Sequence, residues 1–132
     1  MFDELHKYKK NGHFFFKKGN KVAEVGKEVP ELPGVYYIIR LANGHVELVY
    51  IGKSGIKNPS GNNKTSLLKQ SITLQQDFLD LKMSETNIDG LDIYWFVTMD
   101  IDHIDLPDYV LGLIMQTQYD VYGRLPEWNM GV

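Results

Sequence analysis

The sequence predicts an α/β fold, a small, mainly antiparallel sheet flanked by helices. Three observations carry this expectation. Residues 34–52, GVYYIIRLANGHVELVYIG, hold two β-branched and aromatic runs around Asn43-Gly44, and those two residues tolerate the φ > 0 of a hairpin turn. Residues 91–99, LDIYWFVTM, carry large apolar groups on both faces, as a buried strand does. Apolar residues recur at helical spacing over about 65–83 and 106–122.

The elements follow in order. Residues 1–11 read as a short helix or frayed end. Residues 13–25, HFFFKKGNKVAEV, place two β-rich runs around Lys18-Gly19-Asn20, so a small hairpin is expected. Lys17, Lys18 and Lys21 at its tip read as a solvated turn. Pro30 and Pro33 keep the segment entering the central hairpin extended. Gly34 and Gly52 bracket that hairpin. KSGIKNPSGNNKTS then forms a polar loop full of turn formers. It carries Lys53, Lys57 and Lys64, but it does not match G-x-x-x-x-G-K-[ST], so no nucleotide P-loop is expected. A loop of lysines and free amides still suits a polynucleotide backbone. The helix from about Thr65 to Met83 has Leu67, Leu68, Ile72, Phe78, Leu79 and Leu81 on its apolar side, with Asn63 or Thr65 as cap. Residues 84–90 are loop. After the strand at 91–99, Asp100, Asp102, His103, Asp105 and Asp108 crowd together. Such groups bind divalent ions, yet Asp105, Pro107 and Asp108 read better as a helix start and the remainder as a solvated loop. The last helix runs from about Leu106 to Tyr122, with Gly123 at C′. Leu125-Pro126 and Trp128 are expected to pack the tail back onto the sheet.

At 132 residues the chain is expected to form one domain over 1–132, an extension at 1–29 and a core at 30–129. Cysteine is absent, which excludes disulfides and thiolate chemistry. MFDELHKYKK has no apolar core and is not read as a signal peptide, and no run approaches a membrane span, so a cytoplasmic protein without a membrane partner is expected. The net charge of −3 argues against a nucleic-acid binder, but its distribution does not. Residues 1–70 hold 12 Lys and Arg against 6 Asp and Glu, whereas residues 71–132 hold 2 against 11. A basic region able to attract phosphates is one consequence; folding that interleaves the charges is the other.

Gly34-Val35-Tyr36 and Tyr50-Ile51-Gly52, thirteen residues apart and followed by Lys53-Ser54-Gly55, resemble the paired signature of the GIY-YIG nuclease superfamily. DLPDYVLGLIMQTQYDVYGRLPEWN, residues 105–129, is similar to the closing helix and Pro-x-x-Asn tail of that family, in particular of a bacterial subgroup with an extended loop after YIG. The resemblance covers about residues 30–129 and implies a GIY-YIG endonuclease-like fold. It implies phosphodiester hydrolysis, with one divalent cation held by a Glu on the late helix and an Arg binding the phosphate. The motif tyrosines would orient or deprotonate the attacking water.

Carried over residue by residue, the resemblance makes Tyr36, Tyr50, Lys64 and Asn129 the catalytic or vestigial catalytic set. Lys53, Lys57, Lys69 and Gln70 would contact substrate. The family's Arg falls within KTSLLKQSI, where no Arg stands, and Arg40 and Arg124 lie elsewhere. The metal-binding Glu falls on Leu111, flanked by Val110 and Gly112. Leucine offers no oxygen to a hard cation. Three readings follow. The first is a catalytically impaired GIY-YIG-like domain that keeps a nucleic-acid-binding role, with DNA or RNA as partner and no cofactor. The second is an active Mg²⁺-dependent endonuclease with a displaced carboxylate such as Asp108. The third is a non-enzymatic protein-interaction module, favoured by the acidic second half.

Overall fold

The computed structural model describes residues 2–56, 67–85 and 87–130. In chain order these form a 3-10 turn (Asp3–Leu5), β1 (Asn11–Phe16), α1 (Val22–Val25), β2 (Gly34–Ala42), β3 (His45–Lys53), α2 (Leu68–Thr73), α3 (Gln76–Met83), β4 (Gly90–Val97), α4 (Pro107–Tyr122) and a 3-10 turn (Glu127–Asn129). The four strands make one sheet in the order β1-β4-β2-β3. Every neighbouring pair is antiparallel, and the domain is mixed α/β.

Asn43 and Gly44 hold φ of 53° and 77°, so a two-residue turn joins β2 to β3 as the sequence predicts. Ala42 lies opposite His45, and the register runs in step to Ile39 and Leu48. It then shifts, because Ile38 faces Tyr50 and Val49 is the extra residue of a bulge. The bulge puts Val49 and Tyr50 on the same face of the sheet.

Alternation along the strands sorts side chains into two layers. Tyr36, Ile38, Val49, Leu91, Ile93 and Trp95 face α2 and α3, and bury Leu68, Ile72, Leu79 and Met83. Val35, Tyr37, Ile39 and Ile51 face the other way, onto Val110 and Ile114 of α4 and onto Phe2, Leu5 and Tyr8. α4 therefore covers the β2 and β3 half of its face. Its bounds follow from Pro107 at the start and from Gly123 at φ 72°, whose N–H donates to Tyr119 O at 2.7 Å. No helix among the described residues is long and apolar enough to cross a membrane.

Three local expectations are corrected. No hairpin forms over residues 13–25. β1 pairs instead with β4, His13 opposite Tyr94. Gly19 at φ 88° does turn the chain, but Val22–Val25 coil into a single helical turn. Gln76 holds that turn from a distance: its Oε1 accepts the Val22 N–H at 2.7 Å. The helix expected over about 65–83 is two helices broken at Leu74–Gln75; the proposed caps Asn63 and Thr65 lie outside the described residues. Asp105 does not start α4. Leu106 occupies the N-cap without a side-chain bond, while the Asp105 carboxylate accepts the Tyr8 hydroxyl at 2.7 Å and meets Lys7 at 3.2 Å. The N-terminal segment has only its 3-10 turn, pinned by buried Phe2, Leu5 and Tyr8.

Candidate functional site

The two tyrosines of the paired triplets meet on the α2–α3 face of the hairpin. Tyr36 on β2 lies opposite Gly52 on β3. A side chain at position 52 would collide with it: a Cβ there would stand 2.5 Å from Tyr36 Cζ and 2.8 Å from Tyr50 Cε2. Glycine at 52 thus lets the Tyr36 ring lie across β3 and approach Tyr50, at 6.0 Å between centroids. Tyr50 continues to Phe78 on α3 at 5.9 Å, and Phe78 meets Trp128 edge-on at 5.6 Å. The tail so packs on α3 as well as on the sheet rim.

Tyr36 is only 2% exposed. Its hydroxyl accepts a hydrogen bond from Gln75 Nε2 at 2.9 Å. Burial, then the neighbouring Tyr50, push the phenol well above its ordinary range, and the Gln75 bond opposes this only in part. A phenol held so is a hydrogen-bonding group at neutral pH, not a base. Gln75 is the residue at the break between α2 and α3, so the break aims its amide at Tyr36.

The start of the hairpin is fastened separately. Gly34 N–H donates to Ser54 Oγ at 2.8 Å, and Ser54 N–H donates to Gly34 O at 2.9 Å. A Cβ on Gly34 would stand 2.0 Å from Phe96 O, so β4 passes as close as the backbone permits. At the free edge of β3, Asn129 takes the place of a further strand. Its Oδ1 accepts Ile51 N–H at 2.8 Å and its Nδ2 donates to Ile51 O at 2.9 Å.

The remaining residues singled out from the sequence are scattered around this centre. Lys53 points to the α4 side, where its Nζ lies 2.8 Å from Asp108 Oδ1; both side chains are exposed, so the pair adds little stability. Leu111, one turn further, packs half-buried against the apolar layer on that side. Gln70 on α2 donates to Glu31 Oε1 at 3.3 Å, and Lys69 Nζ donates to Lys27 O at 3.4 Å. Lys57 and Lys64 lie outside the described residues. Tyr36 and Tyr50 therefore sit on one face, and Lys53, Asp108 and Leu111 on the other.

The acidic segment before α4 has structural partners. Asp100 Oδ1 accepts the N–H groups of Asp102 and His103, at 2.8 and 3.0 Å, which hold its carboxyl below the usual range. Among the described residues no three His, Asp or Glu side chains are grouped as metal ligands.

No family model, curated protein or solved structure matches the chain.

The sequence marks the tyrosines, Gly52 and Asn129, and helical spacing marks Phe78 as apolar without its contact to Tyr50. Gln75 has no such mark, because it lies where the helix breaks without a proline or glycine. Ser54 was quoted within Lys53-Ser54-Gly55 but not given its role at Gly34.

Proposed function

We propose that this chain is a GIY-YIG-like domain that binds nucleic acid without hydrolysing it. One observation carries the reading. Leu111, the position that the resemblance aligns with the family's metal-binding Glu, packs half-buried against apolar side chains. A divalent cation does not fit there, since leucine supplies no oxygen ligand. Asp108, the nearest carboxylate on α4, is engaged by Lys53 and lies across the sheet from Tyr36. Tyr36 itself is buried with a raised phenol, unsuited to activating water at neutral pH. The paired triplets, Asn129 against the β3 edge, and the order hairpin, helix, strand, helix, tail support the scaffold assignment. Lys53 and Lys69, with Lys57 and Lys64 in the sequence between them, supply the positive charge for phosphates.

The test pairs cleavage with binding. Supercoiled plasmid incubated in Mg²⁺ or Mn²⁺ stays intact, while a labelled oligonucleotide binds with an affinity that falls steeply as salt rises. Metal-dependent nicking that Tyr36→Phe or Asp108→Ala abolishes refutes the reading and establishes an active endonuclease with a displaced carboxylate.

A second reading, a protein-interaction module, draws on a run of exposed apolar residues: Ile101, Ile104, Leu106, Tyr109 and Leu113, along the loop before α4 and its outer side. It requires a stable protein complex that Tyr109→Asp or Leu113→Asp disrupts, with no affinity for DNA or RNA.

A further inference from the structure

α4 lies against β2 and β3, and on the same face Tyr94 and Phe96 of β4 are only partly buried against the apolar layer that includes Phe2, Leu5 and Tyr8. The half of that face beyond β2 belongs to β1, an edge strand, and to β4. Along β1 the side chains alternate: Gly12, Phe14 and Phe16 turn toward the α1 layer, and Asn11, His13 and Phe15 turn out onto the open half. Phe15 is 53% exposed.

The rings there are ordered in a column across three strands. Tyr37 stacks on Tyr94 at 5.0 Å with planes 13° apart, and Tyr94 stacks on His13 at 4.6 Å with planes 8° apart. His13 is the last ring, at the sheet edge. Among the described residues no ring lies parallel on its outer side; Phe15 meets it edge-on at 5.7 Å. His13 is held in this pose by Asp92, whose Oδ1 accepts the Nδ1–H at 2.8 Å. Asp92 is the acidic group within the patch, and it is buried beneath the rings.

The flanks of the strand are basic. Residues 7–21 contain Lys7, Lys9, Lys10, Lys17, Lys18 and Lys21 and no acidic residue. Lys9, Lys10, Lys17, Lys18 and Lys21 are exposed and, among the described residues, form no ion pair. A chain of net charge −3 thus concentrates exposed lysines at both ends of a strand that turns His13 and Phe15 outward.

We propose that the open half of the sheet, His13 and Phe15 of β1 with Tyr94 of β4, is a stacking platform for single-stranded nucleic acid. An unpaired base extends the column by lying on His13 or packs on Phe15, and the flanking lysines take the phosphates. A duplex presents its bases edge-on with their faces already stacked, so it cannot use the rings. The platform uses neither Lys53 of β3 nor Lys69 of α2 and does not rest on the reading given for them.

The experiment uses the full chain and a fluorescent single-stranded oligonucleotide of about 10 nucleotides, followed by anisotropy. The single strand binds, and duplex and abasic strands of equal length bind more weakly. His13→Ala and Phe15→Ala each weaken binding about tenfold, Phe15→Trp retains it, and circular dichroism of all three matches the wild type. Leu74→Ala, at an exposed position between α2 and α3, leaves it unchanged. The proposal is overturned by ring variants that bind as the wild type does, by equal binding of abasic and base-bearing strands, or by no binding at all. Loss confined to Lys53→Ala/Lys69→Ala overturns the platform and favours those lysines as the phosphate contacts.

Discussion

Replacing Asn129 with alanine removes the side chain that closes the edge of β3. The amide makes two hydrogen bonds with one residue, accepting from Ile51 N–H at 2.8 Å and donating to Ile51 O at 2.9 Å. Tyr37 and Ile51 face each other across the hairpin, in a pair that turns the Ile51 peptide groups away from β2. Without Asn129 these groups have no protein partner. Each bond contributes about 1 kcal/mol net, so the loss is about 2 kcal/mol, rising toward 3 kcal/mol where water fails to replace the amide. For a domain of this size that lowers Tm by about 6–10 °C. Urea denaturation followed by circular dichroism measures it, with Met130→Ala, an exposed neighbour, expected within about 0.5 kcal/mol of wild type. Hydrogen exchange adds a local readout, since the Ile51 amide exchanges faster while the Ile38 amide, inside the sheet, does not. An Asn129→Ala protein as stable as the wild type refutes the argument that the tail completes the sheet edge.

Three further outcomes follow from the same geometry. Gly52→Ala drives a Cβ into the Tyr36 and Tyr50 rings and costs about 1–3 kcal/mol in chemical denaturation, whereas Gly112→Ala, on α4 with open space around it, gains about 0.5–1 kcal/mol. The folded Tyr36 phenol is raised, so its stabilising effect is whole below its unfolded pKa of about 10 and is lost as pH climbs toward the folded value; Tyr36→Phe flattens the alkaline limb of a Tm–pH curve. Asp105 is held low by the Tyr8 hydroxyl and Lys7, so its contribution is present above about pH 4 and vanishes as pH falls through the lower folded value; Asp105→Asn flattens the acid limb.

The parts of the fold legible in the sequence are those with local causes. Asn43-Gly44 could only turn between two β-rich runs, and Pro107 with Gly123 bounded α4 from both ends. The errors share the opposite character. Lys18-Gly19-Asn20 does turn the chain, but Val22–Val25 is tied to Gln76, 54 residues away, and β1 finds its partner in β4, nearly eighty residues on. The break at Leu74–Gln75 lacks any breaker residue. It is explained by where the two adjacent glutamines go, Gln75 to Tyr36 and Gln76 to Val22. The candidate site divides in the same way. Its tyrosines and Asn129 stood out as residue types at characteristic spacing, while the groups that buttress them come from tertiary packing. His13 and Phe15 were visible in HFFF, but their exposure depended on which strand β1 would join.

The period of two along the hairpin has a consequence for any chemistry at this site. Tyr36, Tyr50 and Gly52 belong to the face served by α2 and α3, whereas Tyr37, Ile51 and Lys53 belong to the face served by α4. The bulge at Val49 keeps Tyr50 beside Tyr36 while leaving Leu48 with the other layer. Groups on α4 are therefore separated from the Tyr36 hydroxyl by the sheet itself. The route between them runs around the free edge of β3, and Asn129 stands on that edge with both polar atoms committed to Ile51. A carboxylate supplied at Leu111 would begin on the far side of this barrier, against the apolar layer containing Val110 and Ile114. A carboxylate introduced at position 111 would reach the tyrosines only if the tail and the edge of β3 also yielded.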